Sequence, residues 1–403
     1  MRGSWIGILG LIVLLGGCAS SGGEVEPPKT QLVFKTAENI YFLQSYGSLD
    51  DLDPPSAFKE WIIGEDASSA GTRFAKPFGV AVGKGKLFIN DGRRQSGYWV
   101  FDLEQREMTL IRDKKLLGST GIAVDEREHK YLTVPGIRKA KAQGTVGTKE
   151  EDGGLLVFDE NNLLLKEKEF SGRPVQIAVL GERLYVTDAL KNRVVILERD
   201  SLEVLGSFGK TGKGEAEFSF PKGITTNGVD QIIVGDVFNG KVKVFDPAGK
   251  FVSQYGYRTQ LLGGFLSLGG LAVDRKGMVY TVDSAYLMKL ERDEVQVFDS
   301  RRFYKKGEKM PSLEDKKAVH KKALRGYFQK PYATSAGSSG SSSTMYSPVD
   351  IAVDYHNTIY FQEFAPSGVK FEYLIWLTSQ FSGDGKNLSL FAVGTPSTEV
   401  KKE

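Results

Sequence analysis

One short phrase returns six times along this sequence, and it limits the choice of fold more than any other feature. Each copy begins with proline, serine or leucine and, after two further residues, continues into an apolar run that most often reads Ile-Ala-Val. The copies are Pro77–Val82, Ser119–Val124, Pro174–Val179, Pro221–Thr226, Leu268–Val273 and Pro348–Val353. Their third residues are 42, 55, 47, 47 and 80 positions apart. A repeat of about this length is typical of propellers and solenoids.

Runs of β-branched and aromatic residues, bounded by Gly, Asn and Asp turns, follow each copy and predict further strands. Second strands are expected at Lys86–Asn90, Lys130–Val134, Arg183–Thr187, Gln231–Gly235, Met278–Val282 and Thr358–Gln362. Third strands are expected at Trp99–Asp102, Leu156–Asp159, Val194–Glu198, Val242–Asp246, Tyr286–Leu290 and Phe371–Leu377. Fourth strands are clearest at Val204–Gly209 and Phe251–Gly256. Four such strands make one propeller blade.

The sequence therefore predicts an all-β propeller of four-stranded antiparallel blades over residues 32–397. Six blades are expected, and seven are the open alternative. The N-terminal segments Leu32–Phe42 and Trp61–Gly64 are expected to pair with the last blade, because closing the ring removes exposed sheet edges.

The fullest copy of the repeat, Phe220–Gly256, resembles the NHL repeat, with Pro-x-Gly-Ile, a strand ending in Asp, and Phe-Asp-x-x-Gly. Three flanking stretches are similar to a group of NHL-propeller lipoproteins of bacterial envelopes: Phe58–Glu65, Lys76–Val80 and Lys370–Thr378. The resemblance covers about residues 60–394 and implies the propeller fold and an envelope location. It implies little about partners, since propellers host many unrelated functions.

The N-terminus has the layout of a lipoprotein export signal. Residues 1–17 combine a basic start, an apolar run too short to span a bilayer, and small residues before Cys18, the single cysteine. The ending Leu-Gly-Gly-Cys resembles a lipobox, which implies acylation of Cys18, with palmitate among the expected lipids. Residues 18–31 are rich in Ser, Gly, Glu and Pro and predict a flexible tether. Ala19 stands where an Asp favours inner-membrane retention, so the outer membrane is expected; the periplasmic and surface sides stay open.

A long insertion at residues 301–346 departs from the repeat and carries eleven basic and three acidic side chains between Arg301 and Lys330. A helix beginning at Ser312 is expected within it, because Asp315 follows three residues later as in a capping box. The candidate partner-binding residues are Lys316, Lys317, Lys321, Lys322 and Arg325. A docking element for an acidic protein or anionic polymer and a solvated loop are both compatible with this pattern.

An acidic residue follows the second strand in five blades: Asp91, Asp188, Asp236, Asp283 and Glu363. Repeat symmetry predicts a ring of these carboxylates on one face, which could hold Ca²⁺ or a lactonase-like metal site. The competing interpretation is structural, with each carboxylate accepting backbone N–H groups of the following turn. Identical residues in every blade favour the structural role, because a catalytic site needs different residues from different blades.

The sequence offers no assembled catalytic set. It has three histidines at no ligand spacing, no Cys-x-x-Cys-His, and no Walker loop or nucleophile elbow. We therefore expect a monomeric, non-catalytic envelope scaffold without a cofactor, bound to the membrane by its lipid and to an envelope protein or anionic polymer, but not to nucleic acid. The alternative is a metal-dependent lactonase- or lyase-like enzyme at the channel mouth.

Overall fold

The computed structural model describes thirteen stretches of the chain, and β-strands dominate them. The stretches are residues 29–30, 40–46, 77–105, 107–136, 153–259, 263–284, 293–311, 323–328, 348–354, 358–363, 365–366, 374–376 and 388–393. The short helical turns within them are Gly92–Gln95, Lys114–Leu116 and Ser300–Arg302. No helix in these stretches is long and apolar enough to cross a membrane. The predicted all-β propeller class is confirmed.

The strands are numbered in chain order, beginning with two N-terminal strands, β1 (Lys29–Thr30) and β2 (Ile40–Tyr46). The first blade contains β3 (Gly79–Gly83), β4 (Lys86–Asn90), β5 (Gly97–Asp102) and β6 (Glu107–Arg112). The second contains β7 (Ile122–Val124), β8 (Lys130–Val134), β9 (Gly153–Phe158) and β10 (Leu164–Phe170). The third contains β11 (Pro174–Leu180), β12 (Arg183–Asp188), β13 (Arg193–Glu198) and β14 (Val204–Phe208).

The fourth blade contains β15 (Pro221–Thr226), β16 (Ile232–Asp236), β17 (Lys241–Phe245) and β18 (Phe251–Tyr255). The fifth uses β19 (Leu268–Val273), β20 (Met278–Ser284), β21 (Asp293–Asp299) and, beyond β22 (Tyr304–Lys305), β23 (Leu324–Phe328). The remaining strands are β24 (Pro348–Val353), β25 (Thr358–Glu363), β26 (Ala365–Pro366), β27 (Leu374–Trp376) and β28 (Leu388–Val393).

Among the described residues, five blades are each built from one stretch of chain, and a composite sheet completes the ring. The composite sheet has the order β1-β2-β28-β25-β24, so it joins strands from both ends of the described chain. Its innermost strand β24 lies between β19 and β3. The prediction of six blades, with seven as the alternative, is therefore corrected to five blades and the composite sheet. The pairing of β2 with β28 confirms closure by an N-terminal strand. Trp61–Gly64 lies outside the described residues.

Two predicted third strands are wrong. In the fifth blade the third strand is β21, and the predicted Tyr286–Leu290 falls outside the described residues. The sequence of β21 ends in Val-Phe-Asp, as other third strands do. This ending identifies the third strand of the blade better than the apolar run at Tyr286–Leu290 does. In the composite sheet β25 pairs with β28, whereas β27, inside the predicted Phe371–Leu377, pairs with β26 in a separate hairpin.

Part of the basic insertion forms β-strands, so the insertion is not a loop throughout. Its strand β23 pairs with β21 as the outer strand of the fifth blade, and its strand β22 adds a fifth strand to the outer edge of the fourth blade. The residues from Ser312 to 322, where the predicted helix would begin, lie outside the described residues. Removing residues 301–346 would therefore unravel two blade edges.

The first hairpin shows how local sequence sets blade geometry. Gly83 pairs with Lys86, leaving Lys84 and Gly85 as a two-residue loop. Both loop residues have positive φ, 46° and 74°, which matches the twist of a tight hairpin. Glycine adopts this conformation without the steric cost that a side chain brings.

The core lies between neighbouring blades. One cluster combines Tyr131, Leu155 and Val157 of the second blade with Leu184 and Val195 of the third. Burying one such side chain contributes roughly 1.5–3 kcal/mol. Because successive side chains of a strand point to opposite faces of the sheet, these side chains pack against the neighbouring blade. This packing holds the blades around a common channel.

Candidate functional site

The acidic ring predicted from the repeat lies at the end of the second strands, inside the protein. The side chains of Asp91, Asp188, Asp236 and Asp283 are fully buried. The side chain of Glu363 lies outside the described residues. The structure therefore places four of the five candidates at equivalent positions in their blades.

Each of these four carboxylates accepts hydrogen bonds from its own blade or from the segment that leads into it. Asp236 accepts the Ser219 N–H at 2.7 Å, and Asp283 accepts the Ser267 N–H at 2.6 Å. Asp188 accepts the Arg173 N–H at 3.0 Å, and Asp91 accepts the indole N–H of Trp99 at 3.2 Å. Three of the donors precede the innermost strand, and Lys191 of the following turn, where the sequence predicted the donors, gives its N–H to Asp188 at 3.2 Å. These carboxylates fasten the incoming segment to each blade.

Two ring carboxylates also meet cations of their own blades. Lys243 Nζ lies 2.9 Å from Asp236 Oδ2, with both side chains fully buried, and Arg193 Nε lies 3.1 Å from Asp188 Oδ2. Burial lowers the pKa of Lys243, and the charge of Asp236 opposes this shift. A metal ion at either carboxylate would have to displace these contacts.

A separate acidic group, which was not predicted from the sequence, lies on the surface of the third blade. Carboxylate oxygens of Glu182, Glu198 and Asp200 lie within 4.8 Å of one another. Arg199 lies among them, and its guanidinium donates to Glu182 at 2.9 Å and to Glu126 at 2.8 Å. These contacts form an ion-pair network that links the second and third blades.

The central channel holds a cavity of about 240 Å³. Its walls come from the innermost strands, at Val80–Val82, Ile122–Val124, Gln176–Val179, Ile224–Thr226, Leu271–Val273 and Asp350–Val353. These are the fourth to sixth residues of every phrase, with the third added at Gln176 and Asp350, so the cavity occupies the half of the channel remote from the acidic ring. In the registers β3–β4 and β15–β16, the first residues of the phrase lie opposite the acidic-ring end of the second strand.

Two polar side chains form the floor of this cavity. Gln176 Nε2 donates to Asp350 Oδ2 at 3.1 Å, and the Val80 N–H donates to the same oxygen at 3.0 Å. The inner strands follow in the order β3, β7, β11, β15, β19 and β24, so Gln176 on β11 reaches across the channel to β24. The channel is thereby bridged between opposite blades.

Burial shifts the pKa values of Asp350, at the floor, and of Lys222, whose charge acts on it. Burial raises the pKa of Asp350 to about 6, although its hydrogen bonds and the charge of Lys222 act in the opposite direction. Burial lowers the pKa of Lys222, and the charge of Asp350 opposes that shift. Among the described residues, Asp350 has no cationic group within 4.0 Å, so Lys222 acts on it from a longer distance.

Sequence reasoning missed this floor, although the repeat contained the signal. The third residue of the phrase is glycine in four copies, Gly79, Gly121, Gly223 and Gly270, but glutamine and aspartate in the other two. A Cβ at Gly270 would lie 1.8 Å from Asp350 Oδ1, so the glycine makes room for the carboxylate. The departures from the repeat at its third position mark the floor, whereas the walls of the channel follow the repeat.

The basic insertion is described in part. Arg325, one candidate partner-binding residue, places its guanidinium 3.1 Å from Asp299 and is about a quarter exposed. Lys305, Lys306 and Lys309, at and beyond β22, are exposed. Lys316, Lys317, Lys321 and Lys322 lie outside the described residues, as does Cys18.

The comparisons with known proteins agree with an NHL-like propeller. No family model matches the chain. Protein lin-41 of Caenorhabditis elegans is 34% identical over 93 residues, which are 23% of this chain and 7% of that protein. The chain thus spans a small fraction of that relative's length.

Solved structures match this chain at low sequence identity. Virginiamycin B lyase from Staphylococcus aureus has a TM-score of 0.45 and 10% identity, covering 88% of this chain and 99% of that chain. Hydrazine synthase of Kuenenia stuttgartiensis has a TM-score of 0.45 and 12% identity, covering 74% and 95%. Neither similarity bears on activity.

Proposed function

We propose that this protein is a lipid-anchored scaffold of the bacterial envelope whose propeller binds an anionic partner and catalyses no reaction. Two supports come from the sequence: the lipobox-like ending at Cys18 and the tether that follows it. A third is structural, because the four described ring carboxylates already accept internal hydrogen bonds. The metal-dependent lactonase or lyase alternative would require those carboxylates to exchange their present partners for a metal ion.

The observation that carries the proposal is the basic surface along the outer edge of the fourth blade. The chain of the insertion is fixed there by hydrogen bonds between β22 and β18, and Lys305, Lys306 and Lys309 are exposed around it. Clustered lysines on a rigid edge attract an acidic protein surface or a polyanion through long-range electrostatics. An acidic protein or anionic polymer is also the partner that the docking interpretation of the insertion predicts.

Binding to a model polyanion tests the partner class. We expect the protein to be retained on dextran sulfate but not on neutral dextran, and to elute earlier as salt screens the charges. Charge reversal of Lys305, Lys306 and Lys309 to Glu should shift elution to lower salt. The matched control reverses Lys84, Lys114 and Lys191, which are also exposed but lie in or between the first three blades. If both triple variants eluted at equally lowered salt, retention would depend on net charge alone, which would contradict the proposed surface.

The envelope location has its own test. Metabolic labelling with an alkyne analogue of palmitate should mark the full-length protein, which should sediment with outer membranes. C18A should lose both the label and the sedimentation, because two or more acyl chains are needed for stable anchoring. A label retained by C18A, or a full-length protein that stays in the soluble fraction, would contradict the lipid anchor.

A further inference from the structure

The cavity above the Gln176–Asp350 floor has the features of a ligand site that is separate from the basic surface. A hydrogen bond spans the channel at one end of the cavity, and aliphatic side chains line its walls. Five alanines and one threonine share the fifth position of the phrase: Ala81, Ala123, Ala178, Thr225, Ala272 and Ala352. Small residues at that position leave the axis open where larger ones would fill it.

The floor presents a carboxylate whose charge is incompletely matched. Asp350 is 6% exposed, and the donors recorded for it are the neutral groups of Gln176 and of the Val80 and Ile351 backbone. Buried charges are normally paired with an opposite charge. Lys222 contributes from beyond ion-pairing distance and does not line the cavity.

The character of the walls decides which kind of cation fits. Ca²⁺ takes six to eight oxygen ligands, usually from several carboxylates. Asp350 is the one carboxylate among the described residues that line the cavity, and most of the others are Val, Ile, Leu or Ala. A single carboxylate among aliphatic side chains fits a ligand that carries one positive charge on a short hydrocarbon chain.

We propose that the propeller channel binds a small primary amine in its protonated form, with the ammonium group at Asp350 and Gln176 and the aliphatic body between the alanines. The ammonium group supplies three donors, which the free oxygen lone pairs at the floor accept.

Isothermal titration calorimetry of the full chain with n-butylammonium chloride at pH 7.5 tests the site. We expect saturable binding of one ligand per chain, and at least about tenfold weaker binding of 1-butanol, which has the same body without the charge. D350N should weaken amine binding by at least about tenfold for the same reason. D274N is the matched control, since Asp274 is equally buried but serves its own hairpin.

A second variant keeps the carboxylate and changes its surroundings. K222M removes the positive charge that acts on Asp350, so it should tighten amine binding, and it carries the test if D350N does not fold. Amine binding should also weaken between pH 7.5 and pH 5 as the Asp350 carboxylate takes up a proton; Lys222 is the other charged group recorded as acting on it.

Three results would overturn the assignment. Absence of saturable amine binding would remove the site, and binding unchanged in D350N would place the amine elsewhere. Saturable Ca²⁺ binding that D350N abolishes, stronger than that of the amine, would make this a metal site. None of these results depends on the basic surface, so the proposed scaffold function is tested independently.

Discussion

Lys243 and Asp236 form an ion pair of 2.9 Å in which neither side chain has any exposed surface. The lysine also donates to the carbonyl of Gly214 at 2.9 Å, and the carboxylate also accepts from Asn239 at 2.7 Å. The pair therefore joins the third strand of the fourth blade to the loop that enters that blade. In this blade the repeated carboxylate therefore has a structural role.

Breaking this pair from one side should destabilise the protein strongly. K243M leaves the Asp236 carboxylate buried without its cation, and such changes cost about 3–5 kcal/mol. Urea unfolding followed by circular dichroism measures the loss. The control is K210M, because Lys210 is 77% exposed in its pair with Glu217 and should change stability by at most about 1 kcal/mol. Similar losses in the two variants would contradict the structural role of Asp236.

A second repeated contact joins a tyrosine hydroxyl to an aspartate at the opposite end of the blades. The pairs are Asp125 with Tyr131, Asp274 with Tyr280, and Asp354 with Tyr360, at 2.9, 3.0 and 2.8 Å. Y280F removes one donor to a buried carboxylate and should cost about 1–3 kcal/mol in the free energy of unfolding. A change below about 0.3 kcal/mol would mean that water replaces the hydroxyl.

The channel glycine next to Asp350 gives a steric prediction. In G270A the new Cβ would meet the Asp350 side chain at 1.8 Å and its Cα at 2.6 Å, so the neighbouring strand must shift. Overpacking of this kind costs about 1–3 kcal/mol. At Gly206, by contrast, a Cβ meets no atom within 4 Å. G206A should leave thermal unfolding unchanged or slightly improved, because alanine restricts the unfolded chain.

The pKa of Asp350 predicts a pH dependence of stability with a definite sign. Burial raises this pKa in the folded protein to about 6 from its ordinary value of 3.8. The folded state therefore holds the proton more tightly, and stability from this group falls as pH rises from about 4 through 6. The loss is at most about 3 kcal/mol, from a shift of about two pKa units. D350N should remove this component in urea unfolding measured at pH 4, 5, 6 and 7.

The repeated features could be predicted from the sequence, because they recur with the same physical purpose in every blade. The inner strands lie where the six-residue phrase places them, and the ring aspartates sit at the ends of second strands. Ring closure followed from the need to cover sheet edges.

The features that break the repeat could not be predicted in the same way. The pairing of Gln176 with Asp350 depends on two strands that are 174 residues apart and on opposite sides of the ring. The position of β22 on the fourth blade likewise reflects tertiary packing, since Tyr304 stacks on Tyr255 at 6.4 Å between ring centroids. The local sequence of either segment gives no sign of such a partner.

Thermal unfolding of the full chain in 1 mM Ca²⁺ and in EDTA distinguishes an acidic ring that holds the fold together from one that binds a catalytic metal. We expect the same unfolding midpoint in both solutions, and a lower midpoint for D188N and D236N whether or not Ca²⁺ is present. A midpoint raised several degrees by Ca²⁺ in the unaltered protein, and not raised in D188N or D236N, would instead show that the ring binds the ion and would favour the metal-dependent enzyme.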